Sequence, residues 1–307
     1  MKAAYFMKNG GPEVLQYGDV PDPVAGPGEV LVDVHAASVN AADWKVRAGH
    51  YAPTTDFPYV PGRDFSGVVR ALGDGVKDLA VGAAVFGVCD VGRDGAYAER
   101  IAIRSAILAR KPQSLSHVEC AALALTGLTA LVSIEDTLQL KAGETILVQG
   151  GAGGVASVAI QLARHLGARV ITTASAANHD YLRRLGADQI IDYNAQDFTQ
   201  VVSGCDAVLD TVGGDVATRS FAVLRPGGRA AFIGSGNTAP PSPRADVVSL
   251  RPKVGRDRMH LDRVAALVTA GAARVPEIAT YELSEAATAH AVSEGRHLRG
   301  KLVFKVR

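Results

Sequence analysis

Closely spaced glycines in the middle of the chain could bind phosphate groups. Gly151, Gly153 and Ala156 match the pattern G-x-G-x-x-G/A. In this pattern the first residue makes a tight turn, the second lets the backbone approach a pyrophosphate, and the third lets a helix pack on its strand. The free N–H groups at the start of that helix would face the phosphates. A glycine-rich hairpin without a ligand is the alternative. The predicted phosphate contacts are Gly151, Ala152, Gly153, Gly154 and Val155.

A strand, a helix and a second strand must hold this turn in place. The run 144–149 is rich in branched apolar residues, apolar side chains then recur at helical spacing up to Leu166, and Gly167 supplies a stop before the run 168–173. Further strand-like runs follow, and helices separate them, which predicts a parallel, doubly wound sheet. Ligands of such sheets bind at the carboxyl ends of the strands. The residues predicted to follow the fourth and fifth strands are Thr211, Val212, Gly234 and Ser235.

The chain before residue 116 has a different pattern. Val30, Val32 and Val34 alternate with more polar residues, as in a half-buried strand, and several short runs that follow read likewise. Ser116 and Glu119 then form a capping box for a helix that Thr126-Gly127 should interrupt before a second helix at 128–138. The first part of the chain is therefore expected to be mostly β.

The carboxyl-terminal third mixes strands and helices. Residues 247–254 resemble a strand, but Pro252 cannot donate to a ladder, so this strand belongs at a sheet edge. Helices are predicted at 260–269 and from Ser284, with a short strand between them and a last strand at 301–306.

Size and composition point to two soluble domains. The 307 residues exceed the usual single-domain length, 48% are hydrophobic and 21% are charged. A formal net charge of +1 argues against nucleic-acid or anionic-membrane binding. The three cysteines are scattered, the first residues lack the apolar core of a signal peptide, and no run is apolar enough to span a membrane. We therefore expect a cytoplasmic protein without disulfides.

Several segments in this order resemble the zinc-independent quinone oxidoreductases of the medium-chain dehydrogenase/reductase superfamily. Besides the glycine motif, the segments that carry the resemblance are Pro61–Val69, Gly95–Glu99, Leu125–Ala130, Leu185–Asp188 and Arg299–Val303. The resemblance implies an α/β fold in which a Rossmann doubly wound parallel sheet is inserted in a GroES-like β domain. The implied GroES-like catalytic domain comprises 1–116 and 265–307, and the Rossmann NADP-binding domain comprises 117–264, with an active-site cleft where they meet.

Departures from the zinc-dependent relatives bear on the chemistry. Those relatives carry Gly-His-Glu where this chain has Gly62-Arg63-Asp64, and they carry a catalytic cysteine near 39–42, where this chain has none. Arginine stays protonated and cannot bind zinc. We therefore expect no metal. Arg63 and Asp64 could instead pair with each other.

The residues after the second strand of the nucleotide fold decide between NAD and NADP. An acid there would bind the ribose 2′-hydroxyl and repel a 2′-phosphate. After Thr172 the first acid in this chain is Asp180, and the absence of an acid from the strand end favours NADP(H). Ser175, Asn178 and His179 could surround the phosphate. By resemblance, Tyr193 and Arg296 add a hydroxyl and a positive charge, although they could also be a packing residue and a solvated surface charge.

By resemblance, Asn40, Tyr51 and Thr126 surround the nicotinamide and are the expected catalytic residues. Thr126 could also bond back to its own helix, which is the commoner fate of a helical threonine. With no metal and no evident proton donor, the expected reaction is NADPH-dependent hydride transfer to quinones or related conjugated carbonyls. The alternatives are an enoyl or alkenal double-bond reductase and a non-catalytic NADPH-binding redox sensor. A homodimer formed through 247–254 is also expected.

Overall fold

The computed structural model describes residues 1–51, 55–90, 92–93 and 95–307. Its strands are β1 (Lys2–Tyr5), β2 (Gln16–Asp19), β3 (Glu29–Val39), β4 (Asp64–Leu72), β5 (Ala84–Val88), β6 (Arg100–Arg104), β7 (Leu108–Arg110), β8 (Thr145–Gln149), β9 (Arg169–Ala174), β10 (Gln189–Asp192), β11 (Cys205–Asp210), β12 (Leu224–Phe232), β13 (Val248–Leu250), β14 (Ile278–Glu282) and β15 (Lys301–Lys305). Its α-helices are α1 (Ala41–Arg47), α2 (His117–Leu131), α3 (Gly154–His165), α4 (His179–Leu185), α5 (Phe198–Val201), α6 (Asp215–Ser220), α7 (Arg258–Thr269) and α8 (Ala286–Glu294).

The described chain divides into two compact units. The first unit comprises Met1–Leu125, Arg256–Thr269 and Glu277–Arg307, and the second comprises Thr126–Gly255 and Ala270–Pro276. These two units are defined by how the chain packs. The functional boundaries given above, 1–116 with 265–307 and 117–264, stay a prediction.

The first unit is built on a seven-stranded sheet. The strand order is β14-β15-β3-β4-β5-β7, and β6 also pairs with β3. Val30, Val32 and Val34 are fully buried on one face of β3, as the alternation predicts, and they pack in a core with Phe65 and Phe304. Burying each valine contributes about 1.5–3 kcal/mol relative to exposure. The last strand of the chain, β15, pairs antiparallel with β3, so residues from both chain ends meet in this sheet.

The second unit is a six-stranded parallel sheet with the order β10-β9-β8-β11-β12-β13. The chain leaves β8 toward one edge through β9 and β10, and it returns beside β8 to reach the other edge through β11, β12 and β13. The switch point of this doubly wound sheet therefore lies between β8 and β11. Together with the antiparallel pairing of β3 in the first unit, the parallel sheet confirms the predicted fold class.

Helix α2 differs from the sequence prediction. Ser116 and Glu119 form the predicted capping box, because the Glu119 N–H donates to Ser116 Oγ and the Ser116 N–H donates to Glu119 Oε2. The helix does not stop at Thr126-Gly127 but runs to Leu131 and continues as a π-helical segment over Val132–Thr137. One interior glycine costs about 1 kcal/mol, which packing can offset.

The same helical stretch is the candidate membrane span within the described residues. His117–Thr137 has the length and mean hydropathy of a span, but 72% of its most apolar window is buried inside the protein. It therefore matches the core helix of a soluble protein equally well.

Candidate functional site

The glycine turn connects the carboxyl end of β8 to helix α3. Gly150 has φ +71°, a left-handed conformation that favours glycine, and Gly153 is the residue that precedes the helix. A Cβ on Gly151 would lie 2.2 Å from Thr172 Oγ1, so this position admits only glycine without a shift. Ala156 is fully buried where α3 packs on the sheet. The geometry is that of a phosphate-binding turn at the switch point of the sheet.

The loops after β11 and β12 lie next to each other. A Cβ on Gly234 would lie 2.6 Å from the Gly213 nitrogen, so these two backbones approach closely. Asp210, which ends β11, is fully buried, and its carboxylate accepts the Val212 and Gly213 N–H groups at 3.1 and 2.9 Å. Burial raises the pKa of Asp210, and these two hydrogen bonds offset part of that effect. The predicted cofactor residues Thr211, Val212, Gly234 and Ser235 thus belong to two adjoining loops of the second unit.

The residues predicted to contact a 2′-phosphate follow β9. Ser175 precedes a short helical turn, and Asn178 Nδ2 donates to Ser175 Oγ at 3.1 Å. His179 begins α4, and among the described residues its buried Nε2 has no hydrogen-bond partner. The structure therefore brings together a hydroxyl, an amide and an imidazole at one strand end.

The two residues that the resemblance adds to this phosphate site lie apart in the chain. Tyr193 follows β10 in the second unit and is half exposed. Arg296 is exposed in the first unit, with φ +56° and its guanidinium 6.0 Å from the Trp44 ring centroid. Their predicted contacts with the cofactor stay predictions.

In the first unit Asn40 is held by several hydrogen bonds. Its Oδ1 accepts from Lys301 Nζ at 2.7 Å, and its Nδ2 donates to Asp64 Oδ1 at 2.9 Å. Its backbone N–H donates to Asp43 Oδ2 at 2.9 Å, which closes the capping box of α1. These contacts fix the amide of Asn40 in one orientation.

Asp64 and Lys301 are both buried, and each bonds to the side chain of Asn40. Asp64 also accepts from Ser38 Oγ at 2.7 Å and from the Leu125 N–H at 3.1 Å, and Lys301 Nζ donates to the Val39 carbonyl at 2.7 Å. Burial raises the pKa of Asp64 and lowers the pKa of Lys301, and the charge of each offsets part of the effect on the other. The oxygens of Asp64 are thus bonded to Ser38, Asn40 and Leu125. The Lys301 charge lowers the pKa of Asp64, and the Arg63–Asp64 pair considered from the sequence stays a prediction.

Arg63 lies beside Tyr51. Its guanidinium carbon is 5.8 Å from the Tyr51 ring centroid, and its Nε is 3.8 Å from Asp43 Oδ1. Tyr51 is 42% exposed and so offers an aromatic face to a ligand. Within the described part of the chain, no group of three or more His, Cys, Asp or Glu residues is placed to hold a metal ion. Thr126 is buried in α2 as the first residue of the second unit.

Sequence reasoning missed several residues that support these sites. Lys301 reaches Asn40 across 261 positions, and Gln149 and Thr173 support the glycine turn through buried hydrogen bonds. No local pattern marks a contact of such long range. The one available signal was the polar character of Gln149, Thr172 and Thr173 at the ends of otherwise apolar strands.

The fold and the turn together define a nucleotide-binding α/β protein with an added β unit. Comparison with known proteins makes this more specific. The alcohol dehydrogenase GroES-like domain family matches residues 26–113, and the zinc-binding dehydrogenase family matches residues 185–304. A 2-haloacrylate reductase from Burkholderia sp is 32% identical over 98% of each chain. Three other curated relatives are longer, and the aligned region spans 66%, 14% and 56% of their lengths.

Solved structures agree with these sequence matches. The quinone oxidoreductase of Coxiella burnetii has a TM-score of 0.90 and 36% identity, covering 100% of this chain and 99% of that one. The Escherichia coli quinone oxidoreductase in complex with NADPH has a TM-score of 0.91 and 27% identity, covering 100% of both. The chain belongs to the zinc-independent quinone oxidoreductase-like family of the medium-chain dehydrogenase/reductase superfamily, which confirms the family predicted from the sequence.

Proposed function

We propose that this protein is an NADPH-dependent, metal-independent oxidoreductase that transfers hydride to quinones or related conjugated carbonyls. The observation that carries the proposal is the glycine turn between β8 and α3, placed at the switch point of a parallel sheet. NADP(H) is the cofactor, which is supported by the NADPH complex of the Escherichia coli relative and by the absence of an acid between Thr172 and Ser175.

The surroundings of Asn40 support chemistry without a metal. Arg63 stands where zinc-dependent relatives carry a histidine, and Asp64 is bonded to Ser38, Asn40 and the Leu125 N–H. NADPH, held by the glycine turn and the loops after β11 and β12, would supply a hydride that forms a C–H or O–H bond on the acceptor. The electrons displaced from the conjugated system then move to its carbonyl oxygen, which takes a proton from water. A quinone or enone suits such a site because it needs no Lewis acid to accept the hydride.

The residues proposed to meet the acceptor are Asn40, Tyr51 and Thr126. The exposed ring of Tyr51 offers a flat surface, and the fixed amide of Asn40 offers a rigid polar edge. Rigid positioning of a flat acceptor would contribute through proximity and orientation.

For the cofactor, we propose contacts from two groups of residues. The first follows the glycine turn and the strand ends: Gly151, Ala152, Gly153, Gly154, Val155, Thr211, Val212, Gly234 and Ser235. The second binds the 2′-phosphate: Ser175, Asn178, His179, Tyr193 and Arg296.

Reduction of carbon-carbon double bonds is the second candidate. It is favoured by the 2-haloacrylate reductase, which this chain matches over 98% of both lengths. A non-catalytic NADPH-binding redox sensor would keep the same turn and differ only in turnover.

We further propose a cytoplasmic homodimer. Strand β13 is the edge of the six-stranded sheet, and Val248 on it is 51% exposed, so the edge can pair with a second copy. The three cysteines are free and buried, which suits a reducing compartment.

An acceptor panel tests the reaction. We expect NADPH oxidation with ortho- and para-quinones, weaker activity with enones, and none with secondary alcohols or saturated ketones, followed by NADPH absorbance. Turnover on enones or enoyl thioesters alone would favour the double-bond reductase. Tight NADPH binding without any turnover would favour the sensor.

A further inference from the structure

Gln149, the last residue of β8, is the meeting point of four elements of the second unit. It is only 1% exposed and immediately precedes the glycine turn. Its Oε1 accepts from Thr173 Oγ1 on β9 at 2.7 Å, and its Nε2 donates to Ser220 Oγ on α6 at 3.1 Å. Its backbone carbonyl accepts from Thr211 Oγ1, after β11, at 2.8 Å.

In each of these hydrogen bonds only one assignment of donor and acceptor satisfies all the groups. Thr173 gives its single hydroxyl proton to Gln149, so an oxygen lone pair remains to accept the Gly150 N–H at 3.1 Å. Ser220 gives its proton to the Val216 carbonyl at 2.7 Å and accepts from the Gln149 amide. Reversing the Gln149 amide would place its NH₂ against Thr173 and leave the Thr173 proton without its acceptor. The network therefore has one consistent arrangement.

Through this network, Thr173 on β9 holds the glycine turn in place. Thr173 binds the turn twice, because its hydroxyl accepts from Gly150 and its carbonyl accepts from the Gly151 N–H at 2.9 Å. Thr211 packs against the same turn, since a Cβ on Gly150 would lie 2.9 Å from Thr211 Oγ1. Gln149 thus links the turn to the loop that follows β11.

We propose that Gln149 and Thr173 are positioning residues that set the affinity for NADPH by holding the glycine turn and the Thr211 loop in their bound conformation. The inference rests on the proposed NADPH site. Neither side chain needs to touch the cofactor, because they act through the Gly150 N–H and Thr211. A turn that is already ordered loses less conformational entropy on binding.

Removing one hydroxyl tests this directly. Thr173→Val keeps the shape of the side chain but leaves the Gly150 N–H and Gln149 Oε1 without their partner. Of the two lost bonds, the one to the Gly150 N–H contacts the turn, so we expect the Kd for NADPH, measured by fluorescence titration, to rise roughly 2- to 13-fold, the factor for one neutral buried hydrogen bond. Thr173→Ser keeps the hydroxyl and should restore an affinity close to that of the wild type.

Ser133→Ala is the control. Ser133 is a fully buried residue of the second unit whose hydroxyl donates to the Thr129 carbonyl at 2.7 Å, within its own helical segment. Both variants remove a buried hydroxyl and should lower the melting temperature, but only Thr173→Val should weaken NADPH binding. Equal weakening in both would overturn the proposal, because the effect would then be general destabilisation of the second unit.

A double-mutant cycle with Gln149→Leu completes the test. If the two residues act as one network, the double variant should raise the Kd by much less than the product of the two single effects. Multiplicative effects would contradict a shared role.

Amide exchange in the cofactor-free protein separates this inference from the proposed function. Thr173→Val should speed exchange at Gly150, and unchanged exchange would overturn the inference whatever the wild type binds. If the wild type shows no NADPH binding, the proposed function fails, whereas faster exchange at Gly150 would still support the role of Thr173 in holding the turn.

Discussion

His290 should make the first unit lose stability at mildly acidic pH. The ring is fully buried, its Nδ1 lies 3.0 Å from Arg47, and its Nε2 lies 3.3 Å from Tyr97 Oη. Arginine can only donate, so Nδ1 accepts from Arg47 and Nε2 carries the proton. Tyr97 in turn donates to Asp43 Oδ2 at 2.9 Å. A second proton on His290 would have to replace the bond from Arg47 and would put two positive charges in contact.

The size of the effect follows from the pKa. Burial, with a smaller contribution from the Arg47 charge, lowers the pKa of His290 from 6.5 to about 3. The unfolded chain therefore binds this proton at a higher pH than the folded protein does, and unfolding becomes easier as the pH falls. The stability that depends on neutral His290 is fully present above pH 6.5 and is lost progressively as the pH falls toward 3. Proton linkage at this one group therefore lowers the free energy of unfolding by about 2 kcal/mol at pH 5 relative to neutral pH.

Urea unfolding at pH 7.5 and pH 5 measures this contribution. Trp44 is the single tryptophan, is buried, and lies in the same unit, so its fluorescence reports on the unfolding of that unit. His290→Gln cannot take up the proton, and we expect it to reduce the pH dependence of the unfolding free energy by about 2 kcal/mol. The exposed His165→Gln is the control and should leave the pH dependence as in the wild type. An unchanged pH dependence in His290→Gln would refute the reasoning.

Three further predictions follow from the sites. Purified protein should contain no stoichiometric zinc because Arg63 replaces a ligand; elemental analysis that finds about one zinc per chain, lost in Asp64→Asn, would reverse this. Ser175→Asp should shift the ratio of NADPH to NADH affinities toward NADH by about tenfold or more through repulsion of the 2′-phosphate, with Ser175→Asn as the uncharged control and fluorescence titration as the measurement. The protein should have the mass of a dimer by light scattering at micromolar concentration, and Val248→Lys on β13 should shift it toward the monomer; a monomeric wild type would contradict the dimer.

The sequence predicted the elements whose signals are local. The glycine turn, the capping box at Ser116 and the alternation of Val30, Val32 and Val34 depend on residues a few positions apart, and the structure has all three. The edge position predicted for 247–254 is confirmed by β13, but the strand spans only Val248–Leu250, and Pro252 lies beyond it. By contrast, the expected break at Thr126-Gly127 was wrong, because burial of α2 outweighs the weak helix propensity of one glycine.

Several residues of the candidate site could be predicted from the sequence, but the contacts that hold them in place could not. Asn40, Ser175 and Thr211 could be named from resemblance or from their place after a strand. The contacts that hold them could not, because Lys301 reaches Asn40, which in turn bonds to Asp64, only once β15 pairs with β3. The same applies to His290, which meets Tyr97 and Arg47 only in the folded unit. Such contacts depend on the register of strands distant in sequence, which no short motif encodes.

The most direct test of the central claim is the kinetic isotope effect on NADPH oxidation with a quinone acceptor. NADPH in which deuterium replaces one or the other of the two hydrogens on C4 of the nicotinamide would be oxidised by 1,4-naphthoquinone under anaerobic conditions, with absorbance as the readout. We predict stoichiometric oxidation that is slowed by deuterium at one of the two positions only, as expected for hydride transfer from a cofactor bound in one orientation. NADPH that binds but is not oxidised by the quinone or by enones, or an oxidation rate insensitive to deuterium at both positions under single-turnover conditions, would contradict the proposed hydride transfer.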